Sequence, residues 1–193
     1  MAEILDRVGE FFMKRSPQHE ALRRIVVELT ALHIPYAIVG AMAVNAHGHH
    51  RTTDDVDLLM TREGLEAFKA RWLGRGWVEV FPGSKGMRDT VCNVKIDVLI
   101  VGDYPGDGKP KPIVFPDPAV AEPSEEGWPV LPLAALIELK LASAMTAPHR
   151  MQDFADVMNL IRANHLPIDF PVHAYVVDKY AEMWRLAQVS DDS

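Results

Sequence analysis

Apolar residues recur at helical spacing through Leu22, Ile25, Val26, Leu29 and Leu32. A Ser16-Pro17 pair suited to a helix cap and first turn precedes them, so the spacing predicts a helix to about His33. A short apolar run, Tyr36 to Val39, reads as a buried strand, and Gly40 ends it. Ala41 to Ala46 predicts a short helix, Arg51 to Asp54 a polar connector, and Asp55 to Met60 a second strand. Thr61 caps a helix through Leu65, Phe68 and Trp72, with Gly74 and Gly76 as its stop signal. Trp77 to Phe81 alternates as a strand does and turns at Pro82-Gly83. Thr90 to Val94 is read as a further short strand, before a longer one at Lys95 to Val101.

The pattern then changes. Gly102 to Pro112 carries no periodicity and predicts an exposed loop, and Ile113 to Phe115 reads as a short edge strand. After Pro132, Leu133, Leu136, Ile137, Lys140, Leu141 and Ala144 follow a helical repeat. A second helix follows Pro148 with Phe154, Val157, Met158 and Ile161, and a third is expected over His173 to Ala187. An α/β half at about residues 17–115 is thus followed by a helical half.

Composition narrows the function classes. The 193 residues are 48% hydrophobic and 24% charged, enough apolar material for a real core. A net charge of −7 argues against a general nucleic-acid binder, which would present a basic surface. It leaves room for an RNA substrate at a local site. Cys92 is the single cysteine, which excludes an internal disulfide and a cysteine-built zinc site. Charges at Glu3, Asp6, Arg7, Glu10 and Lys14 interrupt the first fifteen residues, so no signal-peptide core is expected there. No apolar run is long enough for a membrane span, and a cytoplasmic location is expected.

The chemistry concentrates in Thr53-Asp54-Asp55-Val56-Asp57 and in Val94-Lys95-Ile96-Asp97-Val98. Side chains alternate along a strand, so Asp55 and Asp57 share one face while Val56 and Leu58 pack behind. Like charges side by side in an apolar run call for cations, and hard oxygen donors favour Mg²⁺. Asp97 closes the cluster if its strand lies alongside. Paired carboxylates of this kind suit metal-assisted nucleotidyl transfer, with the third completing the site or accepting a proton. Gly40 permits close backbone approach to a phosphate. His47, His49 and His50 lack metal-ligand spacing and read as connector, and the four tryptophans read as core or interface.

Val39-Gly40, a spacer at residues 42–54, the Asp55-Val56-Asp57 pair and the later Asp97 resemble the signature of the DNA polymerase β-like nucleotidyltransferase superfamily. Arg51 to Asp57 is similar to the form found in AbiEii-like nucleotidyltransferases of abortive-infection toxin–antitoxin systems. So are Leu136 to Ala142 and Arg150 to Asp156, which match that family's helical lysine and Arg-x-Lys-Asp-x-x-Asp motifs. The resemblance implies an α/β (α+β) nucleotidyltransferase fold, a small mixed sheet with flanking helices followed by a C-terminal helical bundle. It divides the chain into a core at 1–115 and a helical region at 116–193.

It also implies roles. Asp55, Asp57 and Asp97 would be catalytic and would hold Mg²⁺ or Mn²⁺, while Gly40, Ala41, Arg51, Lys140 and Asp153 would contact the nucleotide. Lys140 is expected on the phosphates, neutralising charge as pyrophosphate leaves, or on Asp153. The substrate would be an NTP and the acceptor a tRNA or other RNA, a protein or a small molecule. Small-molecule adenylyltransferases that modify antibiotics look similar around the Asp pair, and an acidic chain suits a cationic aminoglycoside. Two departures stand out: Ala41 replaces the usual serine or glycine, and Gln152 replaces the usual lysine. The alternative is a catalytically degenerate binding module of a toxin–antitoxin-like system, with an antitoxin partner.

Overall fold

A computed structural model describes residues 8–11 and 16–189. Most of the first fifteen residues, read above as lacking a signal-peptide core, lie outside the described residues. Among the described residues no helix is long and apolar enough to cross a membrane.

Helix α1 spans Pro17–Ala31, with the Ser16 side chain accepting from the His19 N–H. Its stripe of Leu22, Ile25 and Leu29 is fully buried, and His33 in a left-handed conformation stops it. Strand β1 (Tyr36–Ile38) leads into α2 (Gly40–Ala46), then β2 (Asp55–Met60). The Thr61 hydroxyl accepts from the Gly64 N–H at 3.0 Å and starts α3 (Arg62–Trp72). Strands β3 (Trp77–Glu79), β4 (Met87–Asp89) and β5 (Lys95–Ile100) follow. Short strands β6 (Glu122–Pro123) and β7 (Pro129–Val130) precede the helices α4 (Leu133–Thr146), α5 (Met151–Ala163) and α6 (Val177–Ala187).

The strands form one mixed sheet in the order β3-β4-β5-β2-β1-β7-β6. At its centre β2 runs parallel to β5 and antiparallel to β1. Burial alternates on both central strands: Val56 and Leu58 on β2, like Ile96, Val98 and Ile100 on β5, are buried, whereas Asp55, Asp57, Lys95 and Asp97 are only half-buried. The sheet rests on apolar side chains, among them Phe68 and Trp77, whose rings meet edge-on at 5.6 Å. Helix α4 is apolar on nearly all sides and lies buried among its neighbours, packed on α5, which packs on α6.

Two short elements differ from expectation. Thr90 to Val94 is a turn and not a strand, because the buried Asp89 carboxylate accepts from the Val91 N–H at 2.8 Å and the Cys92 N–H at 3.4 Å. Asn93 follows with a positive φ, and Arg24 pairs with the same carboxylate at 2.8 Å. Ile113 to Phe115 forms no strand: Pro112 and Pro116 flank it and limit its pairing to exchanges between Phe115 and the Gly102-Asp103 backbone. Strands β6 and β7 take that edge instead, so the sheet draws on chain beyond residue 115. The third C-terminal helix begins at Val177, four residues later than the periodicity suggests. The chain before it is a turn, with the His173 N–H held by Glu138 Oε1 at 2.6 Å.

Candidate active site

The parallel pairing of β2 and β5 sets Asp57 directly beside Asp97 and Asp55 beside Lys95. One carboxylate oxygen from each of Asp55, Asp57 and Asp97 lies within 4.8 Å of the others, the one such acidic group among the described residues. Sequence reasoning named these three residues, and the register brings them together. Hydroxyl and ammonium groups orient two of them. Thr53 Oγ1 donates to Asp55 Oδ1 at 2.6 Å, and Lys95 Nζ donates to Asp97 Oδ2 at 2.7 Å.

Electrostatics leaves this trio under tension. Asp57 is pushed up to about 6 by burial first, then by the neighbouring charges of Asp55 and Asp97. Lys95 is raised chiefly by its hydrogen bond to Asp97. Three carboxylates facing one ammonium leave net negative charge in a partly desolvated niche. That donor set, all hard oxygen, fits a small divalent cation.

Gly40 forms the wall of the niche. Its φ is +59°, and an added Cβ would fall on the Asp57 carboxylate. Only glycine meets both demands. The Val39 N–H donates to the Asp57 carbonyl at 3.1 Å, which ties this bend to β2. Helix α2 begins at Gly40 with no side-chain cap, and Ala41 is buried directly behind.

Above the trio opens a cleft of about 770 Å³, the size range of small-molecule sites. One wall is the loop between β3 and β4, where Gly86 packs close to Asp97 and Phe81 is exposed. That loop is anchored at its base: Lys69 Nζ donates to Glu79 Oε1 at 2.7 Å and also to the Ser84 carbonyl. The 102–112 loop, expected to be solvated throughout, supplies a second wall. Its Gly106, at φ +72°, presses so closely on α4 that a Cβ would meet the Ser143 carbonyl.

The third wall is a charged network on α4 and α5. Lys140 is 6% exposed, and its ammonium donates to Asp153 Oδ1 at 3.0 Å and Asp156 Oδ2 at 2.6 Å. Arg51 clamps Asp156 through Nε at 2.8 Å and Nη2 at 3.0 Å. Gln152, the residue that departs from the motif, also donates to Asp156, at 3.0 Å. Arg150 Nε donates to Asp153 Oδ2 at 2.8 Å. Burial would raise both aspartates, but Lys140 with Arg150 for Asp153, and Lys140 with Arg51 for Asp156, hold them below the ordinary carboxylate value.

The eight residues expected at the site therefore divide. Asp57, Asp97, Gly40, Lys140 and Asp153 border one cleft, and Asp55 joins through the trio, whereas Ala41, expected on the nucleotide, is buried in α2 and does not line the cleft. Arg51 is turned into the helical network, its loop pinned by reciprocal bonds between Asn45 and the Arg51 backbone at 2.7 and 2.9 Å. Lys140 meets Asp153, one of its two expected partners. Thr53, Lys95 and Gly86 were missed. The signal for Lys95 and Thr53 was present: each sits two residues before an acidic residue, on the same strand face or leading into it. Two of the connector histidines serve structure, with His47 on the Leu131 carbonyl at 2.8 Å and His49 beside Asn159 at 3.2 Å.

No protein-family model and no curated protein matches the sequence. Solved structures do match. One is the crystal structure of ANT(2'')-Ia in complex with adenylyl-2''-tobramycin, 16% identical, with a TM-score of 0.53 over 88% of this chain and 98% of that one. Another is the solution structure of the same antibiotic-resistance factor, 16% identical, with a TM-score of 0.49 over 86% of this chain and 89% of that one. The seven-stranded mixed sheet with its flanking helices thus has the fold of the nucleotidyltransferase ANT(2'')-Ia.

Proposed function

We propose that the protein is a metal-dependent nucleotidyltransferase of the DNA polymerase β-like superfamily, moving an NMP group from an NTP to the hydroxyl of a small-molecule acceptor. The observation that carries this is the convergence of three carboxylate oxygens within 4.8 Å beside Gly40. Asp55, Asp57 and Asp97 would hold Mg²⁺ or Mn²⁺, which would neutralise the triphosphate and the charge developing on it. Gly40 brings bare backbone to the triphosphate. Asp97 accepts the acceptor's hydroxyl proton as that oxygen bonds to the α-phosphorus. The bond from the α-phosphorus to the bridging oxygen breaks, and pyrophosphate leaves with its electron pair. Lys95 keeps the Asp97 carboxylate oriented.

The cleft volume suits a nucleotide with a small acceptor, and the net charge of −7 draws cations. The ANT(2'')-Ia structure holds an adenylylated aminoglycoside, which supports a polycationic acceptor on this fold. The AbiEii-like character rests on Lys140, Arg150, Asp153 and Asp156, motif residues that the fold gathers into one network. Within that reading the acceptor is tRNA or protein, and an antitoxin is the partner. A catalytically degenerate binding module is favoured by Ala41, which offers no hydroxyl to a phosphate.

Transfer of label from α-³²P NTPs to a panel of aminoglycoside, tRNA and protein acceptors separates these readings. Label on a small molecule, lost in Asp97→Asn, is expected. Calorimetry showing no binding of any NTP with Mg²⁺ would favour the binding module.

A further inference from the structure

Three cations line the cleft: Lys85, Lys140 and Arg150. A polyphosphate needs donors that are free to turn toward it, and the three differ sharply in that respect. Lys85 pairs with Asp103 at 2.5 Å at the exposed rim and offers a point charge, not a fork. Lys140 is buried and already donates to two carboxylates, so moving it to a ligand would break both bonds to Asp153 and Asp156 in a desolvated site. Arg150 is different. Its side chain is 50% exposed, and among the described residues only its Nε is engaged, on Asp153 at 2.8 Å. Both terminal nitrogens stay available in the fork geometry that suits phosphate oxygens.

The network's charge balance points the same way. Lys140, Arg51 and Arg150 face Asp153 and Asp156, three positive charges against two negative. The two aspartates are saturated by Lys140, Arg51, Gln152 and the Nε of Arg150. The surplus charge therefore resides on the one guanidinium that opens to the cleft. Burial works against that charge, but Asp153 and, more distantly, Asp57 and Asp55 outweigh it, so Arg150 shares the electrostatic field of the acidic trio.

Resting on the nucleotidyltransferase reading above, the geometry points to Arg150 as the residue that binds the β- and γ-phosphates, with Lys140 and Asp153 as positioning residues that hold it. Asp153 is the hinge of this arrangement: one oxygen takes the buried lysine and the other aims the arginine. Lys140 then acts on phosphate only through its neighbours. The motif lysine that sequence similarity nominates for the nucleotide is the anchor, and the arginine ten residues on makes the contact.

Calorimetry with inorganic tripolyphosphate, ATP and AMP, each with Mg²⁺, tests this on the full chain. In Arg150→Gln, affinity for tripolyphosphate and ATP is expected to fall about tenfold or more, with AMP affinity unchanged. The melting temperature should stay near wild type, because half of this side chain already faces solvent. Equal tripolyphosphate affinity in wild type and Arg150→Gln overturns the assignment. So does an equal loss for AMP. Should the glutamine variant fail to fold, Arg150→Lys decides: several-fold weaker tripolyphosphate binding supports the fork contact, and unchanged binding overturns it. If wild type binds neither ATP nor tripolyphosphate, the nucleotidyltransferase reading itself falls. Wild-type binding that survives Arg150→Gln removes only this residue.

Discussion

Two clusters of charge border the same cleft and solve opposite problems. On α4 and α5, cations and carboxylates are matched almost bond for bond, and Asp156 is 0% exposed with four donors on its two oxygens. On β2 and β5, three carboxylates converge with one lysine among them. The first cluster is complete as the protein folds. The second is complete only when something positive arrives. Residue type does not separate the two, since both are built on aspartate. What separates them is whether the fold supplies the partner, and an unbalanced cluster in a cleft is where ligand chemistry belongs.

That contrast can be broken most sharply at the trio. Asp57→Asn or Asp97→Asn is expected to lower nucleotidyl transfer by at least about 10³-fold, roughly 4 kcal/mol of barrier, while thermal unfolding shows an intact fold. Transfer that persists in both variants would remove the trio from the chemistry. The matching substitution in the helical network should act on stability. Lys140→Met removes the one buried cation that both carboxylates share, and urea denaturation should show a loss of about 3–5 kcal/mol. A smaller loss than at an exposed ion pair would mean that the network is not the balanced unit described.

Gly40→Ala tests how closely the backbone bend is fitted to Asp57. The left-handed backbone alone costs about 1–2 kcal/mol, and the methyl would displace the carboxylate. Chemical denaturation should register the first effect, and a weakened response of the melting temperature to added Mg²⁺ the second. A variant with wild-type Mg²⁺ response would show that the Asp57 position is not critical.

The subtlest contrast is in pH. In the folded protein Asp57 titrates near 6, against an ordinary 3.8, so in EDTA the folded state binds more protons and loses stability as pH rises from about 4 to about 6. Asp153 and Asp156 are shifted the other way. Their contribution is present above about pH 4 and is lost as pH falls through their lowered folded values. Unfolding measured across pH 4 to 7 should therefore show Asp57→Asn gaining on wild type as pH rises. Asp156→Asn should trail wild type by a constant margin over that range and recover only as pH falls below about 4. Parallel pH profiles for the two variants would erase the distinction between the clusters.

Much of this was legible in the chain. Helical spacing placed α1, α3, α4 and α5, because apolar spacing is a local property, and capping hydroxyls reinforce it at α1 and α3. Alternation placed β2 to the residue and put Asp55 and Asp57 on one face, since strand geometry allows nothing else. It failed at Thr90 to Val94, where a β-prone run becomes a turn because the buried carboxylate of Asp89, held by Arg24 of α1, captures its N–H groups.

By itself, then, the sequence determined which residues could do chemistry and which face of each element they occupy. Only the tertiary structure decided who meets whom. The parallel register of β2 on β5 made Asp97 the neighbour of Asp57, a pairing forty residues apart that no local periodicity encodes. Packing of α4 on α5 likewise turned Lys140 from a free cation into a buried anchor and left Arg150 open to the cleft. Charge is a property of a residue, but the partner that satisfies it is set by long-range contacts, and in this protein those contacts decide which aspartates are structural and which await a ligand.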